Sequence, residues 1–339
     1  MRLSKYIVKR ILLLIPVLIG VSIIIFALSR MTGEPAAAYI TDKMTPAQIQ
    51  QVYEKYHFDE PVVNQYWYWL TGILEGDWGF SKIAGVPVNE AILVRLPVTM
   101  ELTLLSMAIG IPIGITLGTK TALRKDKTFD HVVRVISLVG VSIPVFWLAL
   151  ILQYVFYYKL DILPAAGLYD IVRWSFTPIP DITGFLIIDS LLVGNFRLFG
   201  DHILHMVMPA VTLSFGTIAV LIRIQRNSML EVLNLDYIKT ARAKGLPEKT
   251  VINKHARRNA LIPTTTVVGL SFGGSLGGAV LTESIFALPG LGRWSASSIT
   301  HFDTTSILGF VLFIALVYSL VNLAVDIMYA YLDPRVKLE

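Results

Sequence analysis

Residues 236–263, DYIKTARAKGLPEKTVINKHARRNALIP, form a polar, basic island between two apolar runs. From 223 to 258 the chain carries nine Lys and Arg against three Asp and Glu. Asp236 suits the start of a helix, and 237–244 contains no helix breaker. Gly245 then tolerates the left-handed backbone that often ends a helix. Pro247 suits the first turn of a second helix, where its missing N–H costs nothing. The expectation is helix, tight corner, helix, lying flat between two membrane spans. Ala241 and Ala243 are small enough for a partner to approach the first helix closely, and Arg242 and Lys244 flank that spot with charge.

The composition agrees with a membrane setting. Of 339 residues 54% are hydrophobic and only 16% charged, whereas soluble domains carry about 25% charged residues. With no cysteine, disulfides, thiolate metal sites and cysteine nucleophiles are excluded. The net charge of +5 is explained by basic loops on the cytoplasmic side rather than by nucleic acid. No cleavable signal is evident, because the first apolar run is too long and lacks an obvious small-residue cleavage site.

Outward from the island, six apolar runs are long enough to span a bilayer, which takes about 20 residues each. An all-α integral membrane protein follows. Residues 1–29 are a basic tail and the first span. Residues 30–97 form an external segment with five Lys/Arg and eight Asp/Glu. Within it Thr45-Pro46 reads as a helix start. After Pro61, Val62, Val63, Tyr66, Leu70 and Ile73 fall on one helical face. The run Tyr66-Trp67-Tyr68-Trp69 suits a helix at the membrane surface or an ordinary packed subdomain. Gly76-Asp77-Trp78-Gly79 reads as a turn.

The core, 98–339, holds the other five spans. Span two is 98–119, with Glu101 near an outer end that water reaches. Its Gly110, Gly114 and Gly118 lay a smooth stripe that suits helix packing ahead of lining a solute path. Span three is 135–158, and Ser142-Ile143-Pro144 bends it. The external loop 159–202 contains an apolar segment at 185–193 too short to cross. Span four is 203–222, with His205 near its outer end as a packed or hydrated residue rather than a metal ligand. After the cytoplasmic loop 223–260 comes span five, 261–282, crowded with Gly and Ser, which must lie against other helices or beside a cavity. Span six is 307–331, followed by the tail 332–339. Six spans put both termini in the cytoplasm. Basic connections then fall inside and acidic ones outside, as the positive-inside rule requires.

Thr-Ala-Arg-Ala-Lys-Gly, Thr240 to Gly245, resembles the EAA loop of ABC-importer permeases, in the form typical of the oligopeptide/dipeptide/nickel branch. The broader family pattern closes on Ile-x-Leu-Pro. Here His255, Arg257 and Arg258 occupy those places and a proline comes only at Pro263, a departure similar to the peptide branch. The opening span, the Arg95-Leu96-Pro97 and Glu101-Leu102 entry to span two, the LTESIFALPGLGRW segment and the terminal Leu332-Asp333-Pro334-Arg335 also look like that family. The resemblance implies a type I ABC-importer permease fold in a prokaryotic inner membrane. It implies that Tyr237, Thr240, Ala241, Arg242, Ala243, Lys244, Gly245 and Leu246 dock on a cytoplasmic ATPase subunit. The implied partners are a second, related permease, two ATPase subunits carrying ATP and Mg, an external solute-binding protein and membrane lipid. No cofactor is implied in this chain itself. Peptides are the favoured solute by resemblance, and nickel, heme-like or sugar solutes occur on similar frameworks.

Other chemistry is weaker. Gly269-Leu270-Ser271-Phe272-Gly273 matches the hydrolase pattern G-x-S-x-G but lies inside a predicted span, where no strand-to-helix corner can form. No G-x-x-x-x-G-K-[ST] occurs, so ATP binding is not expected in this chain. The histidines have no metal-site spacing. An ion-coupled carrier or channel is the alternative reading. Such proteins place ionisable groups at mid-membrane, whereas Glu101, His205, Glu283 and Asp326 fall near span ends.

Overall fold

The computed structural model describes residues 3–32, 36, 39–40 and 44–332. The terminal Asp333-Pro334-Arg335 lies outside the described residues. Nearly everything described is helical: α1 (Leu3–Thr32), α2 (Pro46–Lys55), α3 (Val62–Glu75), α4 (Val88–Leu123), α5 (Thr128–Ser142), α6 (Val145–Leu152, continued by a π-helical stretch Gln153–Lys159), α7 (Ile171–Trp174), α8 (Leu186–Leu192), α9 (Phe196–Leu233), α10 (Asp236–Ala243), α11 (Glu248–Thr250, continued by a π-helical stretch Val251–Ala256), α12 (Arg257–Gly278), α13 (Val280–Ile285), α14 (Leu291–Thr300) and α15 (Thr304–Leu332). The only strands among the described residues are a two-residue antiparallel pair, β1 (Phe80–Ser81) and β2 (Val86–Pro87).

Four helices, within α1, α4, α9 and α15, are individually long and apolar enough to cross a bilayer. A fifth candidate is the bent pair α5 and α6, set at 102° to one another, so that the described residues hold four or five candidate spans where six are expected. Its break falls at Ile143 and Pro144, where the proline removes an N–H and ends the first helix. The stretch expected as span five is the 22-residue α12, whose Gly and Ser content keeps its hydropathy low. α4 and α9 run well past their apolar runs at both ends, to 36 and 38 residues.

α9 is the hub. It packs along α4 and also against α5 and α12, while α15 joins α12 to α1. The glycine stripe of α4 explains the first contact. A Cβ on Gly114 would strike Leu221, and one on Gly118 would strike Gln225 and the Ile222 carbonyl. Glycine therefore lets the two backbones meet. In α12, Gly269 and Gly273 likewise admit Val325 and Tyr318 of α15. Much of the surface of α1 stays exposed and apolar, including Ile11, Leu12, Leu13, Ile15, Ile23 and Ile24. A patch of that kind is stable against lipid rather than water.

At the end of α4 and α9 away from 236–248, carboxylates fasten the loops. Glu101 is buried rather than open to water. Its Oε1 accepts from the Ile187 N–H at 2.8 Å and its Oε2 lies 2.9 Å from His202 Nε2. His202 Nδ1 faces the Leu168 carbonyl at 2.7 Å. The ring thus bridges the Glu101 carboxyl of α4 and the backbone before α7. Glu283 accepts from Thr99 Oγ1 at 2.7 Å and from the Arg293 N–H at 2.9 Å. Asp303 accepts from Ser81 and Ser306 and from the Ile83 N–H, which pins the small hairpin to the start of α15. His205 is buried and donates to the Asp201 carbonyl. At the opposite end, Asp326 pairs with Arg10 at 3.1 Å, tying α15 to α1.

The described residues before α4 pack against the C-terminal half of α1. Thr45 and Gln48 form a reciprocal capping box with Pro46 in the first turn of α2. α3 turns Gln65 and Ile73 inward, and Tyr66 meets Ser22 of α1 at 2.7 Å. Of the residues expected to share one helical face, Ile73 is buried while Val62 and Val63 are exposed. Gln65 is also buried, its amide donating to the Phe58 and Glu60 carbonyls. Gly76, left-handed with φ 94°, ends α3 at the expected turn.

Candidate functional site

The site is the elbow between α9 and α12. α10 has only eight residues, too few to hold a helix unaided. It is held by docking. Ile238 is fully buried and Ala241 nearly so, in a cluster with Ala122 of α4, Met229 and Val232 of α9, Val251 and Ala256 of the π-helical stretch, and Ala260 of α12. The i, i+3 spacing of Ile238 and Ala241 puts both on the underside.

The corner itself follows from Gly245. Its φ is +74°, and the Leu246 N–H donates to the Ala241 carbonyl while the Gly245 N–H donates to that of Arg242. This 6→1 and 5→2 pair is a Schellman motif, which consumes the last carbonyls of α10. A Cβ on Gly245 would meet open space. Its constraint is therefore backbone conformation, not room.

Three local details differ from the sequence expectation. Leu235, not Asp236, is the N-cap, and Asp236 lies in the first turn, where it pairs with Lys239 at 2.9 Å. Pro247 is the N-cap of α11 rather than a residue within its first turn. The second helix does not lie flat as a separate element, because 248–278 is continuously helical through the π-helical stretch into α12.

Of the eight docking candidates, seven are exposed: Tyr237, Thr240, Arg242, Ala243, Lys244, Gly245 and Leu246. Ala241 is not. Its methyl is spent on the chain's own core, where a small residue lets α10 settle onto the ends of α4 and α9. Tyr237 Oη accepts from Asn259 Nδ2 at 2.7 Å, which braces α10 on the first turn of α12. Arg242 grips Glu248 across the corner with two hydrogen bonds, of 2.7 and 3.2 Å. That grip holds the Glu248 carboxyl below its ordinary value and raises the guanidinium. Lys239 likewise lowers Asp236.

Sequence reasoning missed the residue that seats the elbow, Ile238, although it is the one large aliphatic side chain in a polar octet. It also missed Gln225 and Arg226, whose partners lie far away in the chain. Among the described residues no group of three or more His, Asp or Glu could hold a metal ion. The arrangement presents an exposed, largely polar face over a buried apolar underside.

Comparison with known proteins follows the same outline. The chain is 41% identical over 333 residues to the dipeptide transport system permease protein DppB of Alkalihalophilus pseudofirmus, covering 98% of this chain and 99% of the relative. It is 39% identical to the probable D,D-dipeptide transport system permease protein DdpB of Escherichia coli, over 95% of this chain and 94% of that one. The dipeptide transport system permease protein DppB of Haemophilus influenzae is 38% identical over 98% of this chain and 99% of the relative. Residues 3–103 match the N-terminal domain of binding-protein-dependent transport system membrane components. Residues 110–338 match the inner membrane component itself, and the chain belongs to that family of all-helical transport permeases.

Proposed function

We propose that this chain is one of two related permease subunits of an ABC importer that brings di- and oligopeptides into a prokaryotic cell. In this reading both termini and the elbow face the cytoplasm, and two ATPase subunits below supply ATP hydrolysis with Mg. A solute-binding protein delivers peptide from outside. The observation that carries the reading is the elbow: a short helix seated by Ile238 on the ends of α4, α9 and α12, with seven docking candidates exposed on and beside it. A partner that pushes on α10 therefore pushes on three long helices together.

The mechanism is alternating access. ATP closes the ATPase dimer, the elbow moves with it, and the helices rock to open the path outward; hydrolysis and release return it inward. Such coupling needs a two-state element that the ligand biases. Peptide as solute is supported by relatives whose names are dipeptide permeases along nearly the whole chain. The carrier alternative gains nothing from Glu101, His205 and Glu283, since all three are engaged in fastening loops or helix ends.

The test is co-purification and uptake. The chain, expressed with its neighbouring transport subunits, retains an ATPase subunit and imports labelled alanyl-alanine only with ATP. Uptake by the purified chain alone, or an elbow labelled only from outside intact cells, refutes the reading.

A further inference from the structure

The elbow's underside packs on the ends of α4, α9 and α12, and a set of buried polar contacts just above it ties those helices and α5 together. We propose that Gln225 and Arg226 are the transmission residues that carry elbow motion into α4, α5 and α12. This rests on reading the elbow as the ATPase contact.

Both residues sit on α9 about two turns before it ends at Leu233 and enters the elbow. Adjacent helical residues point about 100° apart, so each reaches different neighbours. Gln225 is fully buried. Its Nε2 donates to Thr119 Oγ1 of α4 at 3.2 Å, and its Oε1 accepts from Thr264 Oγ1 of α12 at 2.7 Å. One amide thus ties three helices. Arg226 donates twice to Asp130 in the first turn of α5, at 2.7 Å from both Nε and Nη2. Asp130 is fully buried and also accepts from the Asp126 N–H, so the turn between α4 and α5 belongs to the same network.

Packing seats Leu221 and Gln225 in the notches that Gly114 and Gly118 leave in α4, and the polar contacts add direction to that fit. Hydrogen bonds are directional and resist slip. Burying an amide and an ion pair holds helices together no better than apolar groups of the same size. What the polar set adds is a fixed register between four helices on one helical turn, directly above the element that is pushed. Gly118 adds to this, since it lets the Gln225 stem lie against α4.

The experiment uses the complete transporter in proteoliposomes with labelled alanyl-alanine, and reads ATP hydrolysed per peptide imported. Gln225→Leu and Arg226→Met leave the elbow face intact. They retain the ATPase subunits and continue to hydrolyse ATP, while the ATP-to-peptide ratio rises by about threefold to thirtyfold. Thr264→Val, which removes one hydroxyl at constant shape, raises the ratio as well, and Thr264→Ser keeps it at the parental value. An unchanged ratio in Gln225→Leu and Arg226→Met overturns the proposal. So does uptake falling in proportion to hydrolysis as the complex disassembles, which marks a purely structural role. A parent chain that retains no ATPase subunit overturns the elbow reading itself, and this inference with it.

Discussion

The elbow and the far end of the α4–α9 pair handle charge in opposite ways. At the elbow the carboxylates stand in solvent, the side chains of Asp236 and Glu248 being 95% and 54% exposed, and each pairs with one Lys or Arg. At the far end Glu101, Glu283, Asp303 and Asp189 are buried and satisfied by backbone N–H groups, hydroxyls and one histidine. Exposed ion pairs contribute little, whereas a buried carboxylate that loses its partners, or partners that lose their carboxylate, cost much more. The far end is therefore a stapled cap. The elbow keeps its shape through a glycine corner and one buried isoleucine, and its surface charges remain available for exchange with a partner.

Breaking that contrast from the strongest side first, Glu283→Ala strands the Arg293 N–H and the Thr99 hydroxyl in a dry site. At about 1–3 kcal/mol for each orphaned buried group, it destabilises the detergent-solubilised protein by several kcal/mol, read as a lower midpoint of thermal unfolding. Ile238→Ala comes next. Removing a fully buried aliphatic side chain costs about 2–5 kcal/mol, here confined to the elbow. Faster proteolysis or hydrogen exchange over 236–248, with α4 and α9 still protected, is the outcome that supports the comparison; uniform deprotection refutes it. Gly245→Val forces a β-branched residue to φ +74°, a strain on the order of 1–3 kcal/mol. It lowers ATPase-subunit retention and uptake without affecting membrane insertion, while Gly245→Asn retains most of both. Normal uptake by Gly245→Val counts against the docking role.

The smallest effect is at the Arg242–Glu248 brace. Glu248→Gln costs under about 1 kcal/mol and less still in salt. Its pH dependence has a definite sign. The folded-state carboxyl is held below its unfolded value by Arg242, so its contribution is present above the ordinary Glu range and fades as the pH falls through the depressed value. Hydrogen exchange at 242–248 in the parent should rise on acidification towards that of Glu248→Gln. A brace insensitive to both pH and salt would be a stronger, drier contact than its exposure implies.

Legibility followed the range of each interaction. The corner at Gly245, the break at Pro144, the helix start at Thr45-Pro46 and the glycine stripe of α4 all rest on residues within a few positions of one another, and all are found where expected. The inward turn of Ala241, the burial of Glu101 and the exposure of Val62 and Val63 depend on which neighbour arrives from elsewhere in the chain. The residues from 236 to 258 show basic, amphipathic periodicity, but nothing local says which small residue meets the protein and which meets a partner.

Apolar run length, loop charge and helix punctuation determined, from the sequence alone, that this is a helical membrane protein with a basic elbow between two of its spans. Those properties are sums over neighbouring residues and need no fold to be evaluated. Only the tertiary structure decided which side chains lock the spans together. Glu101 with His202 is 101 positions apart, Arg226 with Asp130 is 96, and Gln225 with Thr119 is 106. A buried polar group is defined by the partner that satisfies it, and helix packing alone brings such distant partners within hydrogen-bond reach.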